Sequence, residues 1–397
     1  MSEYAPPGTV RAWQKPELRD DGDRHRPVGW VELFFDLVFV VIIAVLASNL
    51  ESGGRIVDFV LQFGAVFWVW NAFTYYTERF ESHGLENRLF TFIAILAVAG
   101  LAIWGRDGLG ANYLGFAISY LLARFLNIFL WLRAGVYVPR FRRAALGFAG
   151  GFAVGLVLLG VSFAVTGEAR LILWGLAVLV EIATPGVTGR FQDGLPLISR
   201  DKFPERFGLL TLIVLGETVS GVITSVAAES HSLTAPTIAA AALALLIGFG
   251  MWWVYFDFIA RRPSKPSFPV TLTWVYLHLA MLIGIVAVGA ALSEALAPRA
   301  LTPDVRILLL VGLGYTLVTI ALLELTLDRA KDEPTHAVLS PAMKAGTGIL
   351  ICLLATIPLT TLEAFGIAIV ALGVQAAYGA VAYYRPRRRE VAGIPKD

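Results

Sequence analysis

Long unbroken apolar runs recur from one end of the chain to the other, and they limit its fold more than any other feature. Their apolar residues are continuous and do not alternate, which selects helices over the period-two pattern of a strand. In hydrocarbon every backbone N–H and C=O must be satisfied internally, and a helix of about 20 residues does this while crossing a core about 30 Å thick. The expected fold is an all-α membrane protein with about twelve transmembrane helices, near 30–48, 56–77, 88–105, 112–133, 144–166, 170–187, 205–226, 237–260, 269–295, 305–328, 345–362 and 365–384. Only 16% of the residues are charged, against about a quarter in soluble domains. The one cysteine, Cys352, lies in an apolar run, so neither a disulfide within the chain nor a Cys-based metal motif is available.

The distribution of Lys and Arg tests this count, because cytoplasmic loops carry the excess of positive charge. The even loops and the two termini hold 26 of the 32 basic residues, the odd loops hold five, and Arg124 alone lies inside a span. Both termini are therefore expected in the cytoplasm. Residues 1–29 are polar, with no apolar stretch leading to a cleavage site, and are expected to form a mobile cytoplasmic tail. A second tail, 385–397, contains RPRRRE, whose attraction to anionic lipid needs no nucleic acid.

Internal similarity suggests two parallel six-helix halves, 30–187 and 205–384, joined by a cytoplasmic linker at 188–204. FWVWNAFTYYTERF aligns with FGMWWVYFDFIARR, placing Trp70 on Trp252 and Arg79 on Arg261. WVELFFDLVFV and PERFGLLTLIV likewise place Glu32 and Phe34 on Glu205 and Phe207. The alternative is chance likeness between two apolar segments of biased composition.

Four stretches, GWVELFFDLVFV, WVW…YTERF, ERFGLLTLIVLGETV and WWVYFD, resemble signature segments of the bacterial low temperature requirement protein A family. The likeness runs from about residue 27 to 384 and implies a multi-pass inner-membrane protein. It brings no established reaction, substrate or catalytic residue, so function is read from the residues themselves.

Charges at mid-bilayer cost about 2.5–3.5 kcal/mol on insertion scales, so they mark function or pairing. At 1.5 Å per residue, Arg124, Asn127, Glu181 and Glu217 fall near the midplane. Glu32, Asp36, Glu78, Asp257, His278 and Glu324 fall in the cytoplasmic third. Glu32 and Asp36, spaced i, i+4, share a helix face and make a candidate proton or cation site. The structural alternative has Glu32 capping its helix or pairing with Arg79, and Asp36 hydrogen-bonded to a neighbouring helix. Glu217 lies in a segment whose Gly208, Gly216, Ser220 and Gly221 permit close helix approach, and Arg124 is expected to pair with Glu217 or Glu181. His278 and Glu324 are relay or ligand candidates, with a satisfied core histidine as the alternative. Trp70, Tyr75, Trp252 and Tyr255 are substrate-lining candidates, and the interfacial aromatic belt is the alternative.

These features favour a secondary transporter or ion-conducting protein coupled to protons or cations, with Glu32, Asp36, Glu217 and Asp257 as coupling acids. An intramembrane enzyme acting on a lipid or isoprenoid, using Glu32, Asp36, Asp257 and His278, is the first alternative; a non-catalytic scaffold is the second. No GxxxxGK[ST] loop is present, so nucleotide hydrolysis is not expected. No cofactor is expected beyond a bound proton or monovalent cation. Expected partners are membrane lipids and a small-molecule or ion substrate, without nucleic acid; homo-oligomerisation is left open.

Overall fold

The computed structural model describes residues 13–18, 28–81, 84–192, 202–228, 234–260, 262–296, 302–330 and 333–384. Twelve α-helices run in chain order: α1 (Trp30–Glu51), α2 (Ile56–Arg79), α3 (Leu85–Trp104), α4 (Tyr113–Tyr137), α5 (Arg142–Ser162), α6 (Glu168–Thr188), α7 (Lys202–Ala228), α8 (Ala235–Tyr255), α9 (Phe268–Ala295), α10 (Pro303–Thr326), α11 (Leu339–Leu354) and α12 (Thr361–Tyr384). Eleven of these described elements are long and apolar enough to cross a membrane, and α11 is shorter.

Local chemistry sets several of the helix starts. The Gly29 N–H donates to Glu32 Oε2 at 2.8 Å, the half of a capping box that a glycine N-cap can make on α1. Thr234 and Thr302 cap α8 and α10, each with a proline in the first helical turn. Thr360 and Glu363 exchange hydrogen bonds at the head of α12. Large apolar side chains such as Leu114, Phe125 and Val187 stay exposed on the outer helix faces, the surface expected of a chain solvated by lipid. The interior is aromatic, with Trp68, Trp70, Trp131 and Trp174 all fully buried.

Helices α1, α7 and α9 pack on one another, α9 also packs on α10, and α10 packs on α11. Within the first six helices, α1 contacts α2 and α3, α3 to α6 pack in sequence, and α2 touches α6. Within the last six, α7 contacts α8 and α9, α9 to α11 pack in sequence, and α8 touches α12. The residue pairs matched between the halves nevertheless sit in unlike surroundings. Trp70 is fully buried but Trp252 is exposed, and Phe34 is exposed but Phe207 is buried. Arg261 lies outside the described residues.

Three expectations are corrected. The first tail is in part ordered: Glu17–Leu18 pairs antiparallel with Phe80–Glu81, and Trp13 packs edge-on against Phe90 beneath the Arg133 guanidinium. Helix α11 occupies Leu339–Leu354 and not 345–362, because Lys344 is held inside it by an acid on α10. Residues 202–204 belong to α7, for the same reason. The centre of the linker, 193–201, and the tail at 385–397 lie outside the described residues.

Candidate functional site

The ends of α1, α2 and α7 that carry Glu32, Arg79 and Lys202 define one face of the bundle, called the basic face below. Glu32 and Asp36 on α1 point at Lys202 and Arg206 on α7. Lys202 Nζ lies 2.8 Å from Glu32 Oε1 and 3.3 Å from Glu78 Oε1 of α2. Arg206 donates to both Asp36 oxygens, at 2.5 and 3.2 Å, and to Thr77 Oγ1 at 3.0 Å. Trp70 Nε1–H donates to Asp36 Oδ1 at 2.7 Å, and the Arg206 guanidinium lies 5.7 Å from the same ring. Asp36 and Arg206 are each 1% exposed, and the pair is bidentate, with the Asp36 acceptors filled from two neighbouring helices, α2 and α7. Glu32 therefore takes Lys202 where Arg79 was the expected partner. Arg79 instead donates to Tyr75 and Gln192.

Beside this pair, Phe207 packs edge-on against Trp70 and His278. His278 Nδ1 lies 2.8 Å from the Trp274 carbonyl, which only accepts, so Nδ1 carries the proton. Nε2 is then the acceptor for the Tyr255 hydroxyl at 3.1 Å. The ring is a neutral, satisfied core histidine.

In the middle of the first six helices, Arg124 of α4 pairs with Glu181 of α6 and not with Glu217. Tyr120 donates to the same carboxylate oxygen at 2.5 Å and accepts from Arg124 at 2.9 Å. All three are enclosed, and the Asn127 amide beside them is buried without a hydrogen bond. In the second half, Glu324 of α10 accepts from Lys344 and Ser340 of α11, both at 3.0 Å, and from Arg262 at 3.4 Å.

A cavity of about 30 Å³ lies between α2, α4, α5, α6, α7 and α9, walled by Trp68, Tyr75, Trp131, Phe148 and Phe152 with Asn71. That space holds about two waters. The Trp68 and Trp131 indole nitrogens and Asn71 Oδ1 are buried beside it without partners. Of the four substrate-lining candidates only Tyr75 reaches this wall. Trp70 is committed to Asp36, Tyr255 to His278, and Trp252 stacks on Phe249 at the outer surface. The belt reading fits Trp252 but not Trp68 or Trp70, which are core.

Glu217 stands apart. It is half-buried on α7 and makes neither a hydrogen bond nor an ion pair with any described residue. The charge that acts on it is another acid, Glu51, at the far end of α1. Asp257 sits half-buried in the π-helical turn Phe256–Ala260 that ends α8. Asp36, Glu217, Asp257 and Arg124 thus occupy four separate places. No group of three His, Cys, Asp or Glu side chains among the described residues is placed to hold a metal ion. Lys202, Arg206, Arg262 and Lys344 were read from the sequence as loop charges. One signal for the first two was available: Lys202 and Arg206 repeat the i, i+4 spacing of Glu32 and Asp36 with opposite sign.

Spanning-length helices with apolar outer faces, closed around buried ion pairs, define a multi-pass helical membrane protein with a polar interior. Comparison with known proteins narrows this: residues 27–377 match the bacterial low temperature requirement A protein model, and the chain belongs to that family. It is also 27% identical over 311 residues to an uncharacterized protein of Rhizobium meliloti (strain 1021), covering 70% of this chain and 72% of that one.

Proposed function

We propose that the protein is a secondary transporter or ion-conducting protein of the bacterial inner membrane, coupled to protons or a monovalent cation, with Glu217 as the coupling acid. One contrast carries the reading. The buried carboxylates of Asp36, Glu181 and Glu324 each face a cation, whereas Glu217 has no cation beside it among the described residues and feels Glu51 instead. A carboxylate in hydrocarbon without a counter-charge takes up a proton or another cation, and reversible uptake is what coupling requires. Asp36–Arg206 and Arg124–Glu181 then serve as fixed pairs that lock the bundle. The aromatic cavity, which has no charged wall, suits an uncharged or weakly polar substrate group. The positive-inside pattern supports termini in the cytoplasm, and the similar packing order within each six-helix set supports a repeat.

Proteoliposomes loaded with a pH-sensitive dye and energised by a potassium diffusion potential test the proposal. Flux well above empty vesicles, reduced at least tenfold by Glu217→Gln, is the expected outcome. Undiminished flux in Glu217→Gln overturns the role of Glu217. Absence of flux in the native chain for protons, sodium and potassium favours the scaffold reading.

A further inference from the structure

On α4, Tyr113, Tyr120, Arg124, Asn127 and Trp131 follow one another at intervals of seven, four, three and four residues, a spacing that puts them on one helix face. At 1.5 Å per residue this polar column runs about 27 Å, nearly the thickness of the hydrocarbon core. Side chains of α2, α5 and α6 join it rung by rung. Tyr113 hydrogen-bonds Ser162 of α5, and its ring meets Trp174 of α6 edge-on. Trp174 packs in turn against Tyr120, which donates to Glu181. Arg124 reaches the Trp68 carbonyl at 3.5 Å and lies 5.4 Å from the Phe152 ring, and Trp68 and Phe152 both wall the aromatic cavity. Past the cavity, Tyr75 and Arg79 meet Gln192 at the basic face. Along this column the indole nitrogens of Trp174, Trp68 and Trp131, Glu181 Oε1, Asn71 Oδ1 and both amide atoms of Asn127 are buried without a hydrogen bond to any described residue. None of these six residues is more than 6% exposed. A lone orphan of this kind is ordinary strain, but a file of them crossing the membrane and joined to a cavity calls for a polar guest, because lipid cannot satisfy them.

The charges on the column say what that guest is. Arg124 and Glu181 neutralise each other at its middle. Guanidinium groups already stand over two of the cavity's rings, Arg79 at 5.2 Å from Tyr75 and Arg124 at 5.4 Å from Phe152, so an organic cation is repelled where the aromatic faces would attract it. An anion finds no cationic side chain on the described cavity wall. Room for about two waters limits the guest to a few heavy atoms. We propose that the interior of the first six helices is the route of a small uncharged solute of the amide or polyol class, with the aromatic cavity as its binding chamber. Asn127, which can both donate and accept, is its contact at mid-depth, and the Arg124–Glu181 pair bars ions there. This names the substrate class and route for the transport proposed above, and rests on that reading only for the link between solute movement and Glu217.

Two measurements on the full-length chain test the route. In a Cys352→Ala background, which removes the one native thiol, Asn71→Cys and Asn127→Cys are treated in membranes with N-ethylmaleimide, which reacts with thiols in water far faster than with thiols in lipid. Phe125→Cys, on the exposed side of α4 at the depth of Arg124, is the control. Labelling of both asparagine positions at least tenfold faster than the control is expected; rates equal to the control overturn the route. The second measurement is uptake of radiolabelled urea and glycerol by proteoliposomes under an imposed pH gradient. Uptake of at least one above empty vesicles, lowered at least fivefold by Asn127→Leu or Asn71→Leu, is expected. Uptake of neither solute by the native chain overturns the substrate class, as does uptake that both substitutions leave unchanged. The outcomes separate from the coupling proposal. Solute uptake that persists undiminished in Glu217→Gln removes coupling and leaves the route; Glu217-dependent proton flux with neither labelling nor uptake removes the route and leaves coupling.

Discussion

Asp36 shows how one side chain is tolerated in hydrocarbon. It accepts two hydrogen bonds from Arg206 and one from the Trp70 indole, so its charge is spent locally and is poorly suited to exchange. Removing one partner leaves the other charge buried and alone, at a cost of about 3–5 kcal/mol. Arg206→Ala is therefore expected to lower stability in detergent by that amount, measured by thermal or denaturant unfolding. The double change Asp36→Leu with Arg206→Leu is expected to recover most of it. A single substitution that leaves Tm unmoved contradicts the pair. The Arg124–Glu181 pair predicts the same pattern for Glu181→Ala and for Arg124→Leu with Glu181→Leu. The acids were legible in the sequence, since ionisable residues inside apolar runs announce themselves. Their partners were only half legible: Arg124 lies within a span, whereas Lys202, Arg206 and Lys344 lie at helix ends, where a solvated loop charge and a buried counter-ion read alike. The hydrogen bond from Ser293 to Glu51 gave no signal at all, because it depends on which helix ends converge in space.

Among the elements, α10 and α11 meet backbone to backbone. A Cβ on Gly314 would come 2.4 Å from the Gly348 carbonyl oxygen, and one on Gly348 would come 2.5 Å from that of Gly314. Backbone cannot swing aside as a side chain does, so Gly348→Ala forces the helices apart. Overpacking of this kind costs roughly 1–3 kcal/mol. The expected outcome is a lower Tm together with weaker packing around Lys344. Gly346→Ala, where nothing lies within 4 Å, is the control expected to be silent. Helix starts and directions were readable from hydropathy, but two boundaries moved toward the basic face. In both cases a lysine entered the helix because an acid on a neighbouring helix neutralised it. The expected glycine contacts on α7 were likewise sorted by the fold: Gly221 meets Ser293, while Gly216 faces open space.

At the scale of the whole molecule, the buried acids Asp36, Glu181 and Glu324 are fixed by cations, whereas the half-buried Glu217 and Glu51 pair with no cation among the described residues. Helix α7 carries a fixing cation and an unpaired acid, with Arg206 near one end and Glu217 eleven residues on, which returns to nearly the same helical face at about 100° per residue. The sequence offered Asp36, Glu217 and Asp257 as coupling acids and Arg124 as a charge partner, and the fold disperses them. Spacing along a chain fixes depth in a membrane but not the azimuth of each helix, so residues at similar depth were grouped that packing keeps apart. What survives at this scale is the exception, Glu217. Labelling of the native protein in membranes by a lipid-soluble carbodiimide, which adds to protonated carboxyl groups, reads that exception directly when the adducts are located by peptide mass spectrometry. The account predicts an adduct at Glu217 and none at Asp36 or Glu181; adducts on the paired acids with Glu217 unmodified contradict it.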